Sequence, residues 1–363
     1  MKNKPVGNLF TLKHLRKFYP VKDDEFLLLE RAGSMLFSEL SVLNLSKLPV
    51  SEYTRRYLGN YLKRLHYGVE TAAYLIAHAA SVSGKNIKDL ALLDHGGGTG
   101  IVSLLGRLCG CKAVYYQDIF EGSVRDAQIT AHALNLVADN YFTGDEFLAK
   151  DIQADALVSR NVIEHVYDPA ALLMQLKQLN NPPRCVVFAT TANLANPATR
   201  IYTRRLQRKI ETKGFKSVHG KGSDTQEAFF EIRKRALRQA FPEMNATRLE
   251  LLAGNSRGFI ISNFIQDLKG KAETYMPQPI KDPYNTCNPL NGNWAERLNT
   301  VEEYREWFQQ ADLKFLCCNG FYDTHYRMAP LNALTSMLNR MIAPDKAGSR
   351  TLAPFITLVG KKY

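Results

Sequence analysis

The chain lacks any apolar run long enough to cross a membrane, and Met1 to Pro20 have no apolar core of the kind a secretory signal carries. Its six cysteines show no paired metal-ligand spacing. Cys109-Gly-Cys111 and Cys317-Cys318 read instead as packing residues of a protein whose thiols stay reduced. Together these absences point to a cytoplasmic protein. Low-complexity tracts and internal repeats are missing as well. No glycine-rich stretch ends in Gly-Lys-Ser or Gly-Lys-Thr, which excludes a P-loop.

What is present is the composition of an ordinary globular protein, 45% hydrophobic and 23% charged. Its 363 residues can hold two average domains or one domain with large insertions. The net charge is +12, and between Arg200 and Arg238 twelve Lys or Arg stand against four acids, a local excess of +8. Such a segment fits an acidic substrate, nucleic acid or anionic lipid headgroups, and it fits equally a solvated helical face.

Residues 1–85 read as helical. Asp23-Asp24-Glu25 opens one helix. From Ser51 to Ala80 a long amphipathic pattern follows, with Leu58, Leu62, Leu65 and Val69 on one stripe and Tyr53, Tyr57 and Tyr61 on another. A tyrosine stripe of this kind belongs either to core packing or to the wall of a pocket. Ser83-Gly84-Lys85-Asn86 ends the pattern.

From Asn86 to about Asn196 strands and helices alternate, the pattern of a parallel sheet. Leu90 to Leu93 form an apolar strand ending in Asp94, followed by His95, Gly96, Gly97, Gly98, Thr99 and Gly100, and then by an apolar helix from Ile101. Glycines allow a sharp turn and a close ligand approach, and the amides at the start of the next helix suit a carboxylate or phosphate. The third glycine of the dinucleotide fingerprint is absent: Ile101 or Ser103 stands where it would fall. The residues spell D-x-G-x-G-x-G instead. An acid before the turn would repel a pyrophosphate but accept from an ammonium, so the loop is complementary to an amino acid.

This stretch resembles motif I of the class I S-adenosylmethionine (SAM) methyltransferases. Further residues carry the likeness in order. The second strand, Ala113 to Asp118, ends in an acid suited to a ribose diol, with Ile119 and Phe120 beside it as adenine neighbours. Gly144-Asp145-Glu146 resembles the turn that reads the adenine edge in that family. The strand from Asp155 to Arg160 and Asn161 runs into Val162-Ile163-Glu164-His165-Val166, then Asp168-Pro169, which is similar to the small-molecule enzymes of the ubiquinone-biosynthesis O-methyltransferase type. His95, Arg160 and Asn161 depart from that family's usual residues.

The resemblance covers about residues 86–196 and 310–363. It implies an α/β fold, a Rossmann-like seven-stranded methyltransferase sheet with strand seven antiparallel, an N-terminal helical cap (1–85) and a basic helical insertion (197–309) before strand six. The cofactor it implies is SAM, held by Asp94, Gly96, Gly97, Gly98, Thr99, Gly100, Asp118, Ile119, Asp145, Glu146, Arg160 and Asn161. Methyl transfer to an oxygen, or less favourably a nitrogen, of a small-molecule or lipid-like acceptor follows, with His165 as first candidate for base and Glu164 as second. Tyr57, Tyr61, Tyr67 and His219 are candidate acceptor contacts. No His, Cys and Asp cluster has metal spacing, so no metal is expected. Two alternatives remain: an RNA methyltransferase using residues 200–238, against which no RNA-binding module is recognisable, and a SAM-binding interaction protein without turnover.

Overall fold

The structure, a computed structural model, describes residues 10–149, 152–216, 225–269, 271 and 275–362. After a 3-10 helix (Lys13–Phe18) come three α-helices: α1 (Asp23–Val42), α2 (Glu52–Leu62) and α3 (Leu65–Ser83). The acids Asp23, Asp24 and Glu25 occupy the first turn of α1, where they complement the helix dipole. Ser51 caps α2 by accepting from the Thr54 amide, and Gly84, at φ 72°, ends α3. The single amphipathic run expected from Ser51 to Ala80 is in fact two helices, broken at Lys63 and Arg64. The break folds α2 back, so that the Tyr61 ring lies where any side chain at Gly68 would have to go. The Leu58–Leu62–Leu65–Val69 spacing persists through the bend, which is why sequence periodicity alone does not register it.

The remaining elements are β1 (Ala91–His95), α4 (Ile101–Leu108), β2 (Ala113–Asp118), α5 (Glu121–Ala133), β3 (Asn140–Thr143), α6 (Glu146–Ala149), β4 (Ala156–Arg160), α7 (Pro169–Lys177), β5 (Cys185–Thr190) and α8 (Pro197–Lys213). A short hairpin of β6 (Phe215–Lys216) and β7 (Thr225–Gln226) precedes α9 (Phe229–Ala240), α10 (Ala246–Asn255) and α11 (Ile261–Leu268). The chain ends with α12 (Val301–Gln310), β8 (Leu313–Asn319), α13 (Ala329–Met341) and β9 (Ile356–Lys362).

Seven strands form one sheet in the order β3-β2-β1-β4-β5-β9-β8, with β9 antiparallel to both neighbours. This is the Rossmann-like methyltransferase arrangement. Asp94 pairs with Tyr116 on one side and Val158 on the other, so β1, β2 and β4 end level with one another. Strand order reverses between β1 and β4, and such a switch point is where open α/β sheets bind ligands. The almost wholly buried α3 covers one sheet face together with α1 and α4, while α7 and α12 cover the other. A separate apolar cluster of Leu237, Leu249, Leu252 and Phe264 holds α9, α10 and α11 together. Among the described residues, no helix is long and apolar enough to cross a membrane.

Candidate active site

The glycine turn after β1 is held from beneath by β2. Gly96, Gly98 and Gly100 take φ values of 65°, 54° and 74°, the left-handed region that glycine enters at least cost. The side-chain oxygen of Gln117 accepts from the Gly96 amide at 3.0 Å, and its amide nitrogen donates to the Gly144 carbonyl at 2.7 Å. Gln117 thus links the glycine turn to the Gly144-Asp145 turn. The Tyr116 hydroxyl donates to the Gly98 carbonyl at 2.8 Å. Asp118 accepts from the Gly98 amide through Oδ2 and from the Phe120 amide through Oδ1, both at 3.0 Å. Ile119 and Phe120 are large apolar residues left exposed beside it.

Asp94, expected to face an ammonium group, is 3% exposed, and its Oδ2 accepts from both the amide (3.1 Å) and the hydroxyl (2.9 Å) of Ser103. The acid therefore ties the end of β1 to the first turn of α4. Burial pushes its carboxyl up to about 7 in spite of the Ser103 bonds. His95 is buried too, and burial pulls its imidazole down to about 4. Thr99 is buried within the turn, Asp145 and Glu146 are exposed, and Glu146 accepts from the Thr143 amide at 3.1 Å.

Helix α2 lies over this turn. Its N-terminus is fastened to α5, because the buried Asp126 accepts from both the amide and the hydroxyl of Ser51. The nearest neighbour to a side chain built at Gly98 is the Tyr57 ring, 3.7 Å away. Arg160, at the end of β4, donates to the Tyr61 hydroxyl at 2.9 Å and lies 5.4 Å from the centre of the Tyr67 ring. The tyrosine stripe thus closes the crevice at the switch point.

The loop after β4 packs against the glycines, with Val162 where a side chain at Gly96 would be. Asn161, at φ 54°, accepts from the Thr191 amide. Glu164 is fully buried, and burial pushes its carboxyl up to about 7. His165 is half-exposed. Its Nδ1 lies 2.8 Å from the Trp294 carbonyl and its Nε2 3.7 Å from Glu296 Oε1. Glu296 also lines a pocket of about 330 Å³ with Thr191, Ala198, Thr199, Tyr202, Thr203 and Pro354. His219 lies outside the described residues. Within the basic segment, Arg233 is fully buried against Glu211 and the Ala253 carbonyl, while Lys234 and Arg235 pair with Glu250 and Glu227.

A family model described as a methyltransferase domain matches residues 66–250. The chain belongs to this methyltransferase family. It is a SAM-dependent methyltransferase, and SAM is its cofactor. No curated protein matches the sequence. Among the many solved structures similar to it are three methyltransferases. A SAM-dependent methyltransferase from Mesorhizobium loti is 12% identical over 75% of this chain and 91% of its own, with a TM-score of 0.37. Magnesium protoporphyrin IX methyltransferase from Synechocystis, with bound SAM, is 19% identical over 47% and 76%, with a TM-score of 0.29. A putative RNA methyltransferase from Pyrococcus horikoshii is 20% identical over 49% and 78%, with a TM-score of 0.30.

The residues of this methyltransferase suit its cofactor: a bent turn without side chains, an acid at the end of β2, and two exposed apolar residues next to that acid. Four contributors escaped sequence reasoning. Tyr116 and Gln117 support the turn but stand in no motif, and Trp294 and Glu296 reach His165 from far along the chain. A hydrogen-bonding residue just before Asp118 was the one signal available for Gln117.

Proposed function

We propose that this methyltransferase transfers the methyl group of SAM to an oxygen of a small-molecule acceptor, held in the pocket between Thr191 and α8. The observation that carries this reading is the His165–Glu296 pair at the rim of that pocket. A carbonyl only accepts, so His165 Nδ1 bears the hydrogen that bonds Trp294, and in the neutral imidazole the lone pair is then on Nε2. That nitrogen takes a proton from an acceptor hydroxyl, and the carboxylate of Glu296 then steadies the resulting imidazolium. The pocket is of a size for one ring or a short chain. Its mixed lining of Thr, Tyr, Ala and Pro suits an acceptor that is part apolar, part hydroxylated.

The glycine turn would hold the amino-acid end of SAM, Asp118 its ribose, and Ile119 with Phe120 its adenine, with Asp145 at the adenine edge. Arg160, Asn161, Tyr57, Tyr61 and Tyr67 would enclose the sulfonium side. Bound SAM supplies an electrophilic methyl group, so the chain's own task is to align the acceptor, exclude water and accept one proton. Glu164 shapes the loop from its buried position rather than touching the acceptor. The pairing of Arg233, Lys234 and Arg235 with acids weighs against nucleic acid as the acceptor.

The test is transfer of labelled methyl from SAM across a panel of phenols, hydroxylated lipids, amines and RNA. A hydroxyl-bearing acceptor is expected. His165→Ala should slow its methylation about 10²–10⁴-fold with SAM affinity retained. Transfer to RNA alone, or an unchanged rate in His165→Ala, would overturn the reading.

A further inference from the structure

We propose that His14, Glu70 and His325 form a binding site for a divalent transition-metal ion, separate from the methyl-transfer site. Glu70 lies on α3 and is fully buried, and among the described residues no donor is hydrogen-bonded to either of its carboxylate oxygens. A buried carboxylate is costly unless a charge or a metal compensates it. Two imidazoles face it. Nε2 of His14 stands 3.3 Å from Oε1 and Nδ1 of His325 stands 3.6 Å from the same oxygen. The three ligand atoms lie within 4.8 Å of one another.

Around a tetrahedral ion with bonds near 2.0–2.1 Å, ligand atoms are about 3.4 Å apart. The separations of His14 and His325 from Glu70, 3.3 and 3.6 Å, already approach that figure. Imidazole with one carboxylate suits zinc and its neighbours in the first transition row, not magnesium or calcium, and water completes the fourth position. The side chains of His14 and His325 are 33% and 23% exposed, which leaves a route for an ion to enter. The His66 ring stacks on His325 at 4.1 Å and fixes the plane of that imidazole. Thr324 Oγ1, 3.3 Å from His14 Nε2, and Asp323, held by Arg64 and 3.7 Å from His325 Nδ1, meet the ligating nitrogens themselves, so an ion takes the place of these two contacts. The expectation of no metal rested on the absence of a local ligand spacing. These ligands instead come from three distant segments: the 3-10 helix Lys13–Phe18, α3, and the strap between β8 and α13. An ion there pins the N-terminal segment and the strap to the central helix.

The test uses the full chain, stripped with chelator and titrated with zinc chloride, with SAM affinity measured in parallel as the folding control. One zinc per chain and a higher melting temperature in zinc are expected. His14→Ala, His325→Ala and Glu70→Gln should each weaken zinc binding at least tenfold and abolish the thermal shift, while SAM binding persists. If the His14→Ala/His325→Ala double variant binds zinc as the wild type does, or if wild-type melting does not respond to zinc, the proposal is overturned. Should Glu70→Gln fail to fold, the two part-exposed histidines still decide the matter.

Discussion

Arg160 donates to the Tyr61 hydroxyl at 2.9 Å and so fastens α2 to the end of β4, across the crevice at the switch point. Burial opposes the charge of this guanidinium, but the surrounding tyrosines more than offset it and hold its pKa above the ordinary value. A hydrogen bond to a charged group contributes about 1.5–3 kcal/mol. Tyr61→Phe removes it and leaves the ring in place. The expected outcome is a lower urea midpoint together with a several-fold weaker affinity for SAM by calorimetry, because the helix above the glycine turn is loosened. Stability lost without any change in SAM affinity would show that α2 does not govern the crevice.

Adjacent glycines should fail for different reasons. A side chain at Gly97 would meet the Tyr116 ring at 2.5 Å and Asp94 Oδ2 at 2.9 Å, so Gly97→Ala displaces the two groups that shape the turn. Overpacking of this kind costs roughly 1–3 kcal/mol. A side chain at Gly98 meets nothing nearer than Tyr57 at 3.7 Å, but φ of 54° strains it. That strain costs about 1–2 kcal/mol. Gly97→Ala should therefore abolish measurable SAM binding, whereas Gly98→Ala should lower the melting temperature and retain weakened binding.

The buried carboxyl of Glu164 gives the stability of the protein a pH dependence of known sign. Burial raises it from 4.5 to about 7 in the folded chain. The folded state therefore binds more protons than the unfolded state between those values, and stability falls as pH rises through that window. Glu164→Gln removes the titration. The stability of the wild type relative to this variant should be greatest below pH 4.5 and decline by roughly 1–3 kcal/mol by pH 8. Parallel denaturation curves for the two proteins across the range would contradict the assignment.

The sheet was readable because its signals are local. Each apolar run ends in a turn residue or an acid, and Asp94, Asp118 and Arg160 all fall within or at the ends of strands β1, β2 and β4 where sequence reading placed them. The supports of the crevice were not, because they arise only when distant segments meet. The spacing of Tyr53, Tyr57 and Tyr61 identifies a helix face but not the glycine turn beneath it. Nothing near His165 announces Trp294 and Glu296. Asp94 shows the limit from the other side: its motif position was legible, but its bonds to Ser103 depend on how α4 leaves the turn.

Gln117 offers the most direct test of how the two turns are coupled. Its carboxamide accepts from Gly96 and donates to Gly144, so one buried side chain fixes the relative positions of the glycine turn and the turn at Asp145. Gln117→Leu keeps the volume and strands both backbone groups, and each such loss costs about 1–3 kcal/mol. Gln117→Glu still accepts from Gly96 but sets a second oxygen against the Gly144 carbonyl, which repels it. Both variants should bind SAM at least tenfold more weakly. The leucine variant should lose more stability at low pH than the glutamate variant, whose protonated carboxyl regains a donor for Gly144. Calorimetric titration with SAM and denaturation at pH 5 and pH 8 read the two effects separately, and equal pH responses in the two variants would mean that the Gly144 bond does not matter.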